Sequence, residues 1–137
     1  MQVVFPDTSL ITWLQQLYNL NMTLHLYTNA AVIDRSITLG GLTEAAWAGY
    51  SAANYINTSW TNFLSGHLAY ALGVASNFSN ASGGPVTAYG WYMTDTATGL
   101  VLLAAAQLDG APVTIPDGGS QLVIPSIGDV SKAFTSP

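Results

Sequence analysis

Apolar residues recur along the start of this chain with a helical period and then, from residue 22 onward, with a period of two. Across 7–20, Leu10, Trp13, Leu14, Leu17 and Tyr18 fall at i, i+3, i+4, i+7 and i+8 of one helical face. The spacing predicts a helix over about 8–20, with Trp13 in the core. Asp7, Thr8 and Ser9 supply side-chain oxygens to the first-turn amides, and Asn19 or Asn21 is placed to end the helix. Residues 22–28 then alternate Met22, Leu24, Leu26 and Thr28 against Thr23, His25 and Tyr27, the pattern of a half-buried strand. The same rhythm returns at 68–75, 86–94, 100–108 and 121–124. Turn sequences at 95–99, 109–110 and 116–119 punctuate it. Short strands at this spacing, with no helices between them, predict an all-β fold: an antiparallel β-sandwich or jelly-roll-like barrel with one N-terminal α-helix. A single domain over 1–137 is expected, with strands from about 22 to 126 and a C-terminal tail over 127–137.

The stretch TEAAWAGYSAANY, 43–55, mixes helix-forming alanines with a glycine and spaced aromatics. Its pattern divides at Gly49. Six residues are marginal for a helix, so 43–48 reads as a loop or short turn feeding a strand that starts at Tyr50 and runs to Asn57, with Glu44 as a local hydrogen-bond acceptor. Residues 29–41 and the small, polar 76–84 read as loops, the second a solvent-exposed tip.

Composition narrows the function classes. Only 7 % of the residues are Asp, Glu, Lys or Arg, where a typical soluble domain carries roughly 25 %. Arg35 and Lys132 stand alone against seven acids, for a net charge of −5. Such a chain lacks the basic clusters that neutralise nucleic-acid phosphates or hold to anionic lipid. Half of the residues are apolar, yet the longest apolar run, 100–106, falls far short of the roughly 18 or more that span a bilayer, and reads instead as a buried strand. The N-terminus has no basic n-region ahead of an apolar core, so synthesis in the cytoplasm without a cleavable leader is expected. Cysteine is absent, which excludes disulfides and thiolate metal sites.

Candidate chemistry is sparse. His25 and His67 are the two imidazoles, and neither stands at a recognised metal-ligand spacing from a second histidine or a carboxylate. No Gly-x-Ser-x-Gly elbow presents a nucleophile, and no glycine-rich loop is followed by the lysine a phosphate cradle needs. Asp95, Asp109 and Asp117 lie in turn sequences where aspartate bonds its own backbone, and Asp7 reads as a cap. A hydrolytic pair is then left to Asp34, Glu44 and Asp129. Asn-x-Ser/Thr triplets at Asn21, Asn57, Asn77 and Asn80 follow from a surface rich in Asn, Ser and Thr. No enzyme, cofactor or metal is expected.

The aromatics carry the remaining signal. In 89–93 Tyr89, Trp91 and Met93 share one strand face while Gly90 and Tyr92 share the other, so one row is core and the opposite face is open to a contact. Trp47, Tyr50, Tyr55, Trp91 and Tyr92 are the candidate partner-binding residues. A carbohydrate-binding adhesion module would use Tyr50, Tyr55, Trp91 or Tyr92 as stacking platforms.

The order of features resembles a group of small phage-encoded virion proteins that includes capsid decoration or cement proteins. The resemblance rests on the N-terminal helix, Thr23-Leu24-His25-Leu26-Tyr27-Thr28-Asn29, Leu42-Thr43-Glu44-Ala45-Ala46-Trp47-Ala48-Gly49-Tyr50, Tyr89-Gly90-Trp91-Tyr92 ending in Thr94-Asp95, and Ile115-Pro116-Asp117-Gly118-Gly119. It covers 10–126. It departs from the group in the alanine-rich 43–53 and 69–75 and in the Asn-rich 76–84. The motifs are structural, and no catalytic residues carry over. The resemblance implies a non-enzymatic protein of the virion, located on the capsid surface. It implies a homo-oligomer, a dimer or trimer, that binds the major capsid protein or other virion proteins and stabilises the shell. A tail or fibre component is the neighbouring possibility.

Overall fold

The computed structural model describes residues 7–65 and 68–128. Helix α1, Asp7–Tyr18, is followed by eleven strands: β1 Met22–Tyr27, β2 Ala53–Tyr55, β3 Trp60–Ser65, β4 Leu68–Gly73, β5 Ser76–Ser79, β6 Val86–Ala88, β7 Gly90–Asp95, β8 Leu102–Gln107, β9 Val113–Ile115, β10 Ser120–Val123 and β11 Ser126–Gly128. All pairings are antiparallel. They form a four-stranded sheet in the order β2-β1-β7-β8, a three-stranded sheet β11-β4-β3, and two ribbons, β10-β5 and β6-β9. The protein is all-β with one helix and sandwich-like; the sheets do not close into a barrel, which removes the jelly-roll-like barrel expected as the alternative.

Alternation along β1 explains the main core. Met22, Leu24 and Leu26 point inward beside Trp91 and Met93 of β7, and meet Ala69, Ala71, Trp60, Ile127, Phe78, Val123 and Ile115 from the other sheets. The helix adds Leu10 and Leu14, fully buried, with Ile11 and Leu17 beside them. That stripe is centred away from Trp13, which stays 41 % exposed instead of entering the core as its spacing predicts.

The outer face of the four-stranded sheet is covered too. Tyr27, Leu42 and Tyr92 are buried in a second cluster, closed by Ala31, Ile33, Ile37 and Leu39 from the 29–41 segment and by Tyr89, Leu102 and Ala105. The Tyr27 ring lies over Gly90, where a Cβ would run into that ring and the Ala106 carbonyl. Strand β7 is therefore buried on both faces, and the open contact face expected opposite Trp91 is not there.

Several boundaries differ from the pattern. Residues 43–48 form no helix: Glu44 bridges to Tyr27 and the Ala45 N–H donates to the Leu26 carbonyl, so the segment runs as an extension of the sheet. The strand expected over 50–57 shrinks to β2, because a 3-10 turn at Asn57–Ser59 redirects the chain into β3. Residues 76–84 are only partly a loop tip, since β5 buries Phe78. The 86–94 strand breaks in two, with β6 and β7 in different sheets. Strand β8 is a partly exposed edge rather than a buried strand, and β11 lies inside the expected tail.

Candidate functional site

The densest polar cluster sits on the outer face of the four-stranded sheet, where the register sets His25 opposite Tyr92 and Thr23 opposite Thr94. His25 Nδ1 lies 2.6 Å from Glu44 Oε1, and its Nε2 lies 3.0 Å from Thr94 Oγ1. The Glu44 carboxylate accepts, so His25 donates from Nδ1, and its Nε2 shares a hydrogen bond with the Thr94 hydroxyl. The Tyr50 hydroxyl donates to the same Glu44 oxygen at 3.0 Å and accepts the Leu26 N–H at 3.2 Å. Tyr92 stacks on the imidazole, ring centroids 4.7 Å apart. Burial, and after it the Glu44 charge, pushes the Tyr92 hydroxyl up to about 12. Burial also raises Tyr50, with Glu44 adding to the shift and the Leu26 N–H opposing it.

Carboxylate, imidazole and hydroxyl stand here in the order of a hydrolytic triad, but the burial runs the wrong way. The Thr94 hydroxyl belongs to a residue 2 % exposed, whereas the Glu44 side chain is 44 % exposed. A nucleophile has to meet its substrate. This one lies beneath the sheet surface while its carboxylate faces water, so the cluster orients and holds. What it holds is the 43–50 segment, which it ties across β1 to β7.

Trp47 and Tyr50 extend that attachment to β5. The Trp47 indole N–H donates to the Ser79 carbonyl at 2.9 Å, its ring meets Tyr50 edge-on, and Tyr50 stacks on Phe78. Both residues are half-buried and keep some exposed surface. The other three candidates do not offer a platform. Tyr55 is buried with its hydroxyl 2.6 Å from the Val74 carbonyl and from Ser76 Oγ; Tyr92 is covered by the second cluster; and Trp91 is 8 % exposed. Stacking of a partner on Tyr55 or Tyr92 is thus corrected by burial. Trp91 lines a cavity of about 260 Å³, with Gln107, Leu108, Asp109 and the 121–124 segment around it.

The acids proposed as a hydrolytic pair are not brought together. Asp34 accepts the Ser36 N–H and hydroxyl, which hold it below the usual carboxylate range. Glu44 is in the His25 cluster, and Asp129 lies outside the described residues, as do His67 and Lys132. Asp95 serves its own hairpin, accepting from Thr98 and the Val101 N–H. No group of three His, Cys, Asp or Glu capable of holding a metal occurs among the described residues.

Sequence reasoning passed over Thr94 and read His25 as an ordinary strand residue. The two are 69 positions apart, and only the β1–β7 register joins them. Asn80, read from its triplet as part of a polar surface, is instead buried, with Nδ2 donating to the Gly84 and Ile115 carbonyls and Oδ1 accepting from Ser82, which leaves no room for a glycan.

No protein-family model, curated protein or solved structure matches this chain. Among the described residues no helix is long and apolar enough to cross a membrane.

Proposed function

We propose that this chain is a non-enzymatic structural protein that works in an assembled state, as a capsid decoration or cement component of a phage virion. One observation carries the assembled reading. On a chain with 7 % charged residues, large apolar side chains stand exposed in several connections and on β10, among them Val32, Val74, Leu100, Val101, Leu122 and Ile124. Interface cores are depleted in charge and rich in such residues. The His25 cluster fits the reading because its groups satisfy one another and its hydroxyl is sealed. The virion setting is supported by the resemblance over 10–126, and the major capsid protein is the expected partner. The test is to purify particles of the phage that encodes the chain and image them by electron microscopy with an antibody to it. Regular labelling of the shell is expected; its absence from particles overturns the virion assignment, and labelling confined to the tail moves the protein to a tail or fibre role.

The cavity beside Trp91 favours a second reading, a carbohydrate-binding adhesion module. Its indole, two glutamines and an aspartate are groups that hold a sugar ring. Quenching or a shift of tryptophan fluorescence on adding polysaccharide, together with hits on a glycan array, supports it; silence in both excludes it.

A further inference from the structure

Strand β7 is buried at each residue from Gly90 to Thr94, whereas β8 beside it keeps partial exposure at each residue from Leu102 to Ala106. Both faces of β8 are packed: Leu103, Ala104 and Ala106 lie against the main core, Leu102 and Ala105 against the second cluster. The side left open is its outer edge. The Leu108 N–H donates to the Tyr89 carbonyl, and the pairs Trp91↔Ala106 and Met93↔Ala104 follow in register. Antiparallel alternation then turns the N–H and C=O of Ala105 and Gln107 away from β7, while Leu103 is the extra residue of the bulge. No strand among the described residues covers them.

Other edges in the fold are blunted. Strands β2, β6, β9 and β11 are three residues long, β6 follows Pro85, β9 lies between Pro112 and Pro116, and β10 runs toward Pro125. Strand β5 is four residues, three of them polar, and β3 carries Thr61, Asn62 and Ser65. Strand β8 has none of these devices: 96–108 contains no charge and no proline, and the exposed Leu100 (77 %) and Val101 (52 %) continue its apolar run. The bulge between Met93 and Thr94 disturbs only its first residues. In a chain of net charge −5, this neutral edge lets two copies approach without opposing like charges, and one edge is complementary to itself about a two-fold axis.

We infer that β8 pairs antiparallel with β8 of a second copy, about a two-fold axis at Ala105, joining the two four-stranded sheets into one sheet of eight. Ala105 then pairs with Ala105 of the second copy, and the Asp109 end of each strand faces the uncharged 100–102 end of the other instead of another acid. This deepens the assembled reading and names its first partner.

The chain has no cysteine, so Ala105→Cys gives a clean probe. At the axis the two Cα atoms are about 5.5 Å apart, within the roughly 4.4–6.8 Å that a disulfide spans. Mild oxidation is expected to convert Ala105→Cys to a covalent dimer well before Val32→Cys, an equally small change at an exposed loop. Sedimentation of the unmodified chain is expected to show a monomer–dimer equilibrium. Ala105→Pro, which removes an outward N–H from each copy and no bond to β7, is expected to weaken that equilibrium roughly 30-fold, from two lost hydrogen bonds, with the circular dichroism of the fold retained. A chain that stays monomeric across the concentration series, or cross-links no faster through Ala105→Cys than through Val32→Cys, overturns the β8 pairing. Either result leaves the virion assignment to the particle images, where a labelled shell with a monomeric free protein separates the two failures.

Discussion

Tyr92 is a phenol that the fold holds neutral. Its ordinary value of 10.0 is raised to about 12, because ionisation would place a charge in the second cluster beside Glu44. The neutral form is the one the folded state favours, so its stabilisation is complete below pH 10 and is lost as pH rises toward 12. Tyr50 and Tyr55 shift in the same direction, chiefly through burial. An ultraviolet titration is expected to show a late, cooperative rise well above pH 10 that coincides with loss of near-ultraviolet circular dichroism. Smooth ionisation of every tyrosine with the fold intact would contradict the burial of these rings. Gly90 makes a second claim at this scale. A methyl group there meets the Ala106 carbonyl and the Tyr27 ring, neither of which has room to yield. Gly90→Ala is expected to cost at least about 3 kcal/mol of unfolding free energy in urea denaturation.

Among the elements, the loops are fastened as firmly as the strands. Asn80 joins the 80–84 turn to β9 through Ile115, while Asp117 accepts the Gly83 N–H and the Gly118 N–H donates to the Asn80 carbonyl. Asn80→Ala strands several buried partners at once and is expected to lower stability by about 3 kcal/mol, read by urea denaturation. Asn80→Asp, which keeps the acceptor but loses both donors, is expected to fall near it. The 43–50 segment is the parallel case: Trp47→Phe removes the bond to the Ser79 carbonyl and is expected to cost about 1 kcal/mol in the same assay.

These fastenings mark what the sequence could and could not reveal. Strand β1 was legible because one face is core throughout, so alternation in 22–28 maps directly onto burial. The Asp95 hairpin was legible because its bonds are made within the turn itself. Strands β9 and β11 were not, since three residues are too few to show a period, and β7 was misread because both of its faces are packed. The 43–48 segment was legible as non-helical, because six residues are marginal for a helix even when alanine-rich; its backbone pairing with β1 and the Glu44–His25 bond were not, since they join positions distant in sequence. Of the candidate contact residues, Tyr92 is lost beneath the 29–41 cover, whose pattern carried no sign that it folds back over the sheet.

For the molecule as a whole, charge is scarce enough that screening has little to act on. Among the described residues the one acid–base side-chain contact is His25–Glu44, and the net charge of −5 is spread over 137 residues. Thermal unfolding is therefore expected to shift little between low and high sodium chloride, since Debye screening weakens only charge–charge terms that are few here. A strong salt dependence would point to an electrostatic network beyond that pair. Stability rests instead on two apolar clusters that share one sheet, with the edge of that sheet open at β8.

The strand order β2-β1-β7-β8 also sets a timetable for synthesis. Strand β1 ends at Tyr27, but the neighbour that fills its longer side starts only at Gly90. At roughly 5–20 residues per second a ribosome takes several seconds to bridge that gap. Throughout it the nascent chain carries Leu24 and Leu26 without the β7 side of their core. The amino-terminal half is thus committed to a late, long-range closure, and a chain truncated before β7 is the form most prone to aggregate.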